Sequence, residues 1–326
     1  MAGAFKLDAA GFELKFSEVS LDRPPHPGGM ISSAGVRVRA PPSASSETAM
    51  HTSQAAAHAA STQDRARSAG WELRFAAITD IGMRRTVNQD VYLLHPSRRL
   101  YAVADGMGGH EGGELAATLA IETLAAYFDE VGDMIESTPQ DRRSLQHNLV
   151  AGIKLANAAV YQEAAERGTH RGMGTTLVAL TFDETRAYWA HVGDSRLYRL
   201  RNGQLERLTR DHSLLEETLE RHNITSSDAS EFIANFPYKH VLTRAVGSQY
   251  CVDVSVAFSQ LVPGDIFLAT TDGVHNALSD EELASVLRDH ADDLSAACQA
   301  IAQLTLSRGA PDNLTALLVE THTPGR

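Results

Sequence analysis

Aspartates stand at the ends of apolar runs in Asn88-Gln89-Asp90, Asp105-Gly106, Gly193-Asp194-Ser195-Arg196, Asp272-Gly273 and Asp312-Asn313. One Asp-Gly alone is ordinary turn chemistry, because glycine accepts positive φ and aspartate bonds its own backbone. Two of these turns, however, follow strongly apolar runs: Leu100-Tyr101-Ala102-Val103-Ala104 leads into Asp105, and Ile266-Phe267-Leu268-Ala269 leads through two threonines into Asp272. A carboxylate at the edge of a buried sheet is costly unless it is compensated. If several converge, two bare charges about 4 Å apart repel by about 4 kcal/mol at an effective dielectric of 20. Cations would turn that repulsion into binding.

Carboxylate oxygens, a glycine carbonyl and retained waters are the ligands of hard octahedral ions such as Mg²⁺ or Mn²⁺. Zinc would want His or Cys, and His110-Glu111 is followed by glycines and Glu114 rather than the second His of H-E-x-x-H. The glycine-rich run from Gly106 to Gly113 also fails as a nucleotide loop. G-x-G-x-x-G would need glycine at Glu111, and a P-loop begun at Gly108 meets Glu114 and Leu115 in place of Lys and Ser/Thr. These glycines instead let the backbone approach metals and a phosphate closely.

Positioning such turns needs a sheet. Trp71 to Thr79, Leu100 to Ala104, Thr175 to Phe182, Arg186 to Val192, Val252 to Phe258, Ile266 to Thr270 and Leu314 to Val319 read as strands. Leu197 to Leu200 joins Gln204 to Leu208 through Asn202-Gly203, a strong hairpin signal. Ala116, Leu119, Ala120, Thr123 and Tyr127 recur at helical spacing, as do Leu149, Ile153, Ala156, Val160 and Ala164. Ser279-Asp280-Glu281-Glu282 is a capping box opening a helix, and Leu294, Ala297, Cys298 and Ile301 mark another. A polar, helix-like insertion from Asp211 to about Asn235 is placed to flap over a site. Helices, a block of antiparallel strands, then helices again imply layered sheets with helices outside rather than alternating βαβ units.

Residues 1–70 carry Pro24-Pro25, Gly28-Gly29, Pro41-Pro42 and an Ala/Ser/His-rich run with no sustained period, which predicts a mostly disordered extension before a single domain over 71–322. Gly11 to Val19 reads as plain tail, with a strand or docking motif as the other reading. The 326 residues hold 41 Asp and Glu against 29 Lys and Arg, a net charge of −12, which disfavours a nucleic-acid backbone as partner. Two cysteines, Cys251 and Cys298, show no disulfide or zinc spacing and fit a reducing cytoplasm. No leader pattern and no membrane-spanning apolar stretch is visible.

The ordered set Gly82-x-x-Arg85-x-x-Asn88-Gln89-Asp90, Asp105-Gly106-Met107-Gly108-Gly109-His110, Gly174-Thr175-Thr176, Gly193-Asp194-Ser195-Arg196, Leu242-Thr243-Arg244-Ala245-Val246-Gly247, Asp272-Gly273-Val274 and Asp312-Asn313-Leu314-Thr315 resembles the protein phosphatase 2C (PPM) family, in its bacterial form, over about Trp71 to Glu320. The resemblance implies an α+β fold, a four-layer α-β-β-α sandwich of two mostly antiparallel sheets flanked by helices. It implies a metal-dependent serine/threonine phosphatase with Mn²⁺ or Mg²⁺ as cofactor, two ions per domain and a third as in bacterial members. Asp105 would bridge both ions, Asp272 and Asp312 would hold the first, and the Gly106 carbonyl the second. Gln89 and Asp90 would support the second ion and its waters, and Asp194 with Asp272 would form the third site. Such an ion pair activates water as hydroxide for in-line attack on phosphorus, and Arg85 would grip the phosphate with its planar fork. A phosphoprotein, a serine/threonine kinase or its targets, would be the partner, and the chain a monomer.

Two departures stand out. Many relatives have Glu where this chain has Gln89, and some carry His at the position of Met107 as a proposed general acid. The leaving-group proton would then come from His110, from a metal-held water or from nothing specific. Two other functions stay open: a metal-poor pseudophosphatase acting as a regulatory binding module, and a phosphohydrolase for small phosphate esters.

Overall fold

The computed structural model describes residues 64–68, 71–137, 143–167, 172–224, 232–233 and 235–322. The extension expected over residues 1–70, with its Gly11 to Val19 stretch, therefore lies outside the described residues apart from 64–68. The insertion after Asp211 is described in part.

Twelve strands among the described residues make two antiparallel sheets. β1 (Asp64–Ser68), β2 (Trp71–Asp80), β8 (Arg196–Arg201), β9 (Gln204–Arg207), β11 (Ile266–Thr270) and β12 (Leu314–His322) form the first, in the order β1-β2-β12-β11-β8-β9. β3 (Asp90–His95), β4 (Leu100–Met107), β6 (Leu177–Phe182), β7 (Arg186–Val192) and β10 (Ser255–Gln260) form the second, in the order β10-β7-β6-β4-β3, with β5 (Gly174–Thr175) also paired to β4. The helices are α1 (His110–Ser137), α2 (Arg143–Arg167), α3 (Leu214–Arg221), α4 (Asp272–His275), α5 (Asp280–Asp289) and α6 (Leu294–Ser307).

Period-two alternation explains the layers, because successive strand residues face opposite sides. Leu73 and Phe75 of β2, Tyr101 and Val103 of β4, and Leu317 and Val319 of β12 point into the space between the sheets. Their neighbours turn outward: Leu100, Ala102 and Ala104 meet Leu124, Leu149 and Ile153 of α1 and α2. On the opposite side Ala316 and Leu318 meet Leu283, Leu287 and Ile301 of α5 and α6. Phe75, Tyr101, Phe182 and Phe267 chain across the middle with ring centroids 5.4 to 6.0 Å apart. The result is the four-layer α-β-β-α arrangement read from the sequence.

Several boundaries differ from that reading. Sheet pairing begins at β1, before Trp71; Asp64-Arg65-Ala66-Arg67-Ser68 has no apolar alternation, and its strand state comes from pairing along β2. β3 opens on a charge and runs Leu93-Leu94 without alternation, so its sequence carries no period-two signal, yet it pairs along β4 from Asp90 opposite Asp105. The expected strand Thr175 to Phe182 is broken at Thr176, and the strand expected from Val252 begins at Ser255. The capping box is present: the Ser279 hydroxyl accepts from Glu282 N–H, and the Glu282 carboxylate accepts from Ser279 N–H. Among the described residues no helix is long and apolar enough to cross a membrane.

Candidate metal and phosphate site

Antiparallel pairing brings the acidic turns to one end of the sandwich. β3 starts at Asp90 beside the end of β4 at Asp105, and β12 starts just after Asp312 beside the end of β11, just before Asp272. The turn after β7 adds Asp194. Asp105, Gly106, Asp194, Asp272, Asp312, Gln89 and Arg85 all line one cavity of about 640 Å³. Asp90 sits behind its wall, and His110 opens α1 with a side chain outside the described set.

Each carboxylate is held by a local device. Asp90, only 3 % exposed, accepts on Oδ2 from the hydroxyls of Thr271 (2.7 Å) and Thr315 (2.8 Å). The Asp105 backbone is fixed by Thr176 N–H and the Thr175 hydroxyl, both donating to its carbonyl, and by its own N–H donating to Thr176 Oγ1. The break between β5 and β6 at Thr176 thus coincides with two hydroxyls bonded to the Asp105 backbone. Arg196 grips Asp211 through Nη2 at 2.8 Å, which ties the turn carrying Asp194 to the chain entering α3. Asn313 donates to the carbonyls of Ile81 and Val87 and accepts from Gln89 N–H, so the Arg85 loop and the Asp312 turn are bound together.

Close backbone approach is built in at two glycines. A Cβ on Gly106 would lie 2.0 Å from the Gly113 carbonyl at the start of α1. Gly82 holds φ +76°, and a Cβ there would lie 2.1 Å from the Asp312 carbonyl.

Burial and mutual repulsion set the electrostatics of this acid cluster. Burial, followed by the charges of Asp90, Asp272, Asp194 and Asp312, holds Asp105 well above the usual carboxylate range. Burial pushes Asp90 up to about 7 against the opposing pull of its two threonine hydrogen bonds. Burial, then Asp272 and Asp211, lift Asp194 to about 7. Asp272 is raised by burial and then by Asp312, while His240, a hydrogen bond with Asp105, and Arg85 oppose the rise. Arg85 donates from Nη2 to Asp312 Oδ2 at 2.7 Å, and this bond leads the causes that raise its own pKa.

The donor set fits a hard divalent cation. Asp90 Oδ1 is buried without a hydrogen-bond partner, an expensive state for a carboxylate oxygen. The acidic groups repel one another, and oxygen donors dominate the lining. Among the described residues no three His, Cys, Asp or Glu side chains stand as a ready ligand trio. Asp312 is engaged by Arg85 and by Asn313 N–H, and Asp272 Oδ2 accepts from Asn276. A cation here would draw on the backbone and on waters as well, as Mg²⁺ and similar ions do.

Sequence reasoning assigned no roles to Thr175, Thr176, Thr271, Thr315, Asn313 and His240. Thr271 and Thr315 had a faint signal, hydroxyls within three positions of an acidic turn, whereas Thr175 and Thr176 stand far along the chain from any acidic turn. His240 had none, because it reaches the cavity from a loop remote from every acidic turn.

The family model for protein phosphatase 2C matches residues 83–318. Protein phosphatase PhpP of Streptococcus pneumoniae is 30 % identical over 250 residues, covering 76 % of this chain and 97 % of PhpP. The solved structure of PppA, a regulatory component of the T6SS in Pseudomonas aeruginosa, is 38 % identical, with a TM-score of 0.64, covering 76 % of this chain and 97 % of that one. The catalytic domain of the serine/threonine protein phosphatase PstP in complex with two manganese ions is 30 % identical, with a TM-score of 0.66, covering 78 % and 100 %. With its layered sheets, its acidic cavity and these relatives, the chain belongs to the protein phosphatase 2C family.

Proposed function

We propose that this protein is a metal-dependent phosphatase that hydrolyses phosphoserine and phosphothreonine monoesters in phosphoproteins, a serine/threonine kinase or its targets among them. The observation carrying the proposal is the lining of one cavity by Asp105, Asp194, Asp272, Asp312 and Arg85. Asp105, Asp272 and Asp312 would hold the ions with the Gly106 carbonyl, Gln89 and Asp90 would support them, and Asp194 would serve a third. When bound, two divalent ions, Mn²⁺ or Mg²⁺, would neutralise phosphoryl charge and make water a stronger nucleophile by lowering its pKa.

The chain's own residues do the rest. Arg85 uses one donor on Asp312, leaving the remainder of its fork for two phosphate oxygens. Thr271 and Thr315 keep Asp90 oriented, and the glycine-rich turn gives the ester backbone-level access. Water attacks phosphorus in line, and the serine or threonine oxygen departs. Two unpaired cysteines support a reducing cytoplasm as its place, and we read the working unit as a monomer.

The test is phosphate release from a phosphothreonine peptide and from nucleoside monophosphates, with metal-stripped protein titrated by Mn²⁺ in a calorimeter. Preference for the peptide, rising with occupancy of at least two sites, is the expected result. Preference for the nucleotide would make it a small-molecule phosphohydrolase, and absence of Mn²⁺ binding would make it a pseudophosphatase.

A further inference from the structure

We propose that His240 is a catalytic residue of this reaction, donating the proton that the departing serine or threonine oxygen takes up as its bond to phosphorus breaks; the inference rests on the phosphatase reading above. Among the described residues, His240 is the one imidazole lining the cavity that holds Asp105, Asp194, Asp272 and Asp312. An adjoining cavity shares His240, Arg85, Asp272 and Asp312 with the first and continues past Asn276 and Arg308. His240 therefore lines both cavities, as does the arginine assigned to the phosphate.

The backbone fixes this placement. Leu214 N–H donates to Val241 O at 2.8 Å, Thr243 N–H donates to His212 O at 2.9 Å, and Leu242 bridges to Ser213. Val246 bridges to Thr175, and Thr175 pairs with Gly106. The segment that follows His240 is thus tied at Val241 to Thr243, and at Val246 it connects through Thr175 to the glycine beside Asp105. The side chain is exposed, so solvent can reprotonate it after each turnover.

The lining carboxyls of Asp105, Asp194, Asp272 and Asp312 are assigned to the ions in the reading above, which calls on them as carboxylates. Met107, which occupies the position where some relatives carry histidine, has no transferable proton, and arginines such as Arg85 and Arg244 do not release theirs. The balance is simple. Water oxygen forms the new bond to phosphorus and gives its proton to solvent. The ester bond breaks with its electron pair on the serine or threonine oxygen, which takes the proton from the His240 ring nitrogen. The neutral ring then recovers a proton from water.

Leaving-group dependence tests this. p-Nitrophenyl phosphate expels a stable phenolate with little need of a proton, whereas phosphothreonine expels an alkoxide that needs one. kcat/KM would be measured with Mn²⁺ for wild type, His240→Gln and His240→Ala on both substrates. General acids contribute about 10²–10⁴-fold, so the expected loss is about a hundredfold or more on the phosphothreonine peptide and less than about tenfold on p-nitrophenyl phosphate. Equal losses on both substrates, or no loss on either, would overturn the assignment. Wild type inert on both would instead overturn the phosphatase reading itself. The exposed ring contributes no core packing, so both variants are expected to fold.

Discussion

Replacing Asp194 by Asn should stabilise the metal-free protein, and the size of the effect follows from the site's electrostatics. Burial and the charges of Asp272 and Asp211 lift the Asp194 carboxyl from 3.8 to about 7. At about 1.36 kcal/mol per pH unit, an ionised Asp194 costs the folded state about 4 kcal/mol above pH 7. Solvent reaching a partly exposed carboxyl reduces this to about 2–4 kcal/mol. Because the folded value lies above the unfolded one, the carboxyl's contribution is intact below about pH 4 and is lost as pH rises through about 7. Asn carries no charge, so the two proteins should unfold together near pH 4 and separate by pH 8. For a domain of this size the gap at pH 8 should be about 5–15 °C. Thermal unfolding followed by circular dichroism in EDTA, from pH 4 to 8, reads it directly, and excess Mn²⁺ should narrow or invert the gap. Equal melting temperatures at pH 8 in EDTA, or a gap that does not change with pH, would refute the claim that the cluster is strained without cations.

Thr315→Val removes a 2.8 Å hydrogen bond from the buried Asp90 carboxylate and should lower stability by about 1–3 kcal/mol in urea titrations, with a higher Mn²⁺ requirement. Gly82→Ala places a Cβ 2.1 Å from the Asp312 carbonyl at a φ of +76°; it should cost more than about 2 kcal/mol and reduce Mn²⁺-supported turnover, as denaturation and kcat would show. Arg85→Lys loses the planar fork and should raise KM for a phosphothreonine peptide about tenfold or more, the equivalent of one charged hydrogen bond; an unchanged KM would remove Arg85 from phosphate binding.

The layered fold was legible because its signals are local. Alternation from Trp71 to Phe75, the apolar run Ala316 to Val319, helical spacing in both helical pairs and the Ser279 capping box each act within a few residues. β1 and β3 were not, since polar Asp64 to Ser68 and charge-opened Asp90 to His95 become strands through pairing partners remote in sequence. At the site, the acidic turns could be found because each borders an apolar run, before it or after it. The groups that orient them could not: Thr271 and Thr315 reach Asp90 across 181 and 225 residues, and Asn313 ties down Gln89 across 224. His240 belongs to the same class, since the residues that follow it, Leu242 and Val246, bridge to Ser213 and Thr175 far along the chain. The role of His110 stays an expectation from sequence.

The most direct test of the central claim is hydrolysis of a phosphothreonine peptide by wild type and Asp272→Asn, each with EDTA and with added Mn²⁺. The account predicts turnover by wild type only with Mn²⁺ and a loss of at least about a hundredfold in the variant, in the range that electrostatic stabilisation supplies. Turnover that survives EDTA, or an Asp272→Asn enzyme as active as wild type, would contradict it.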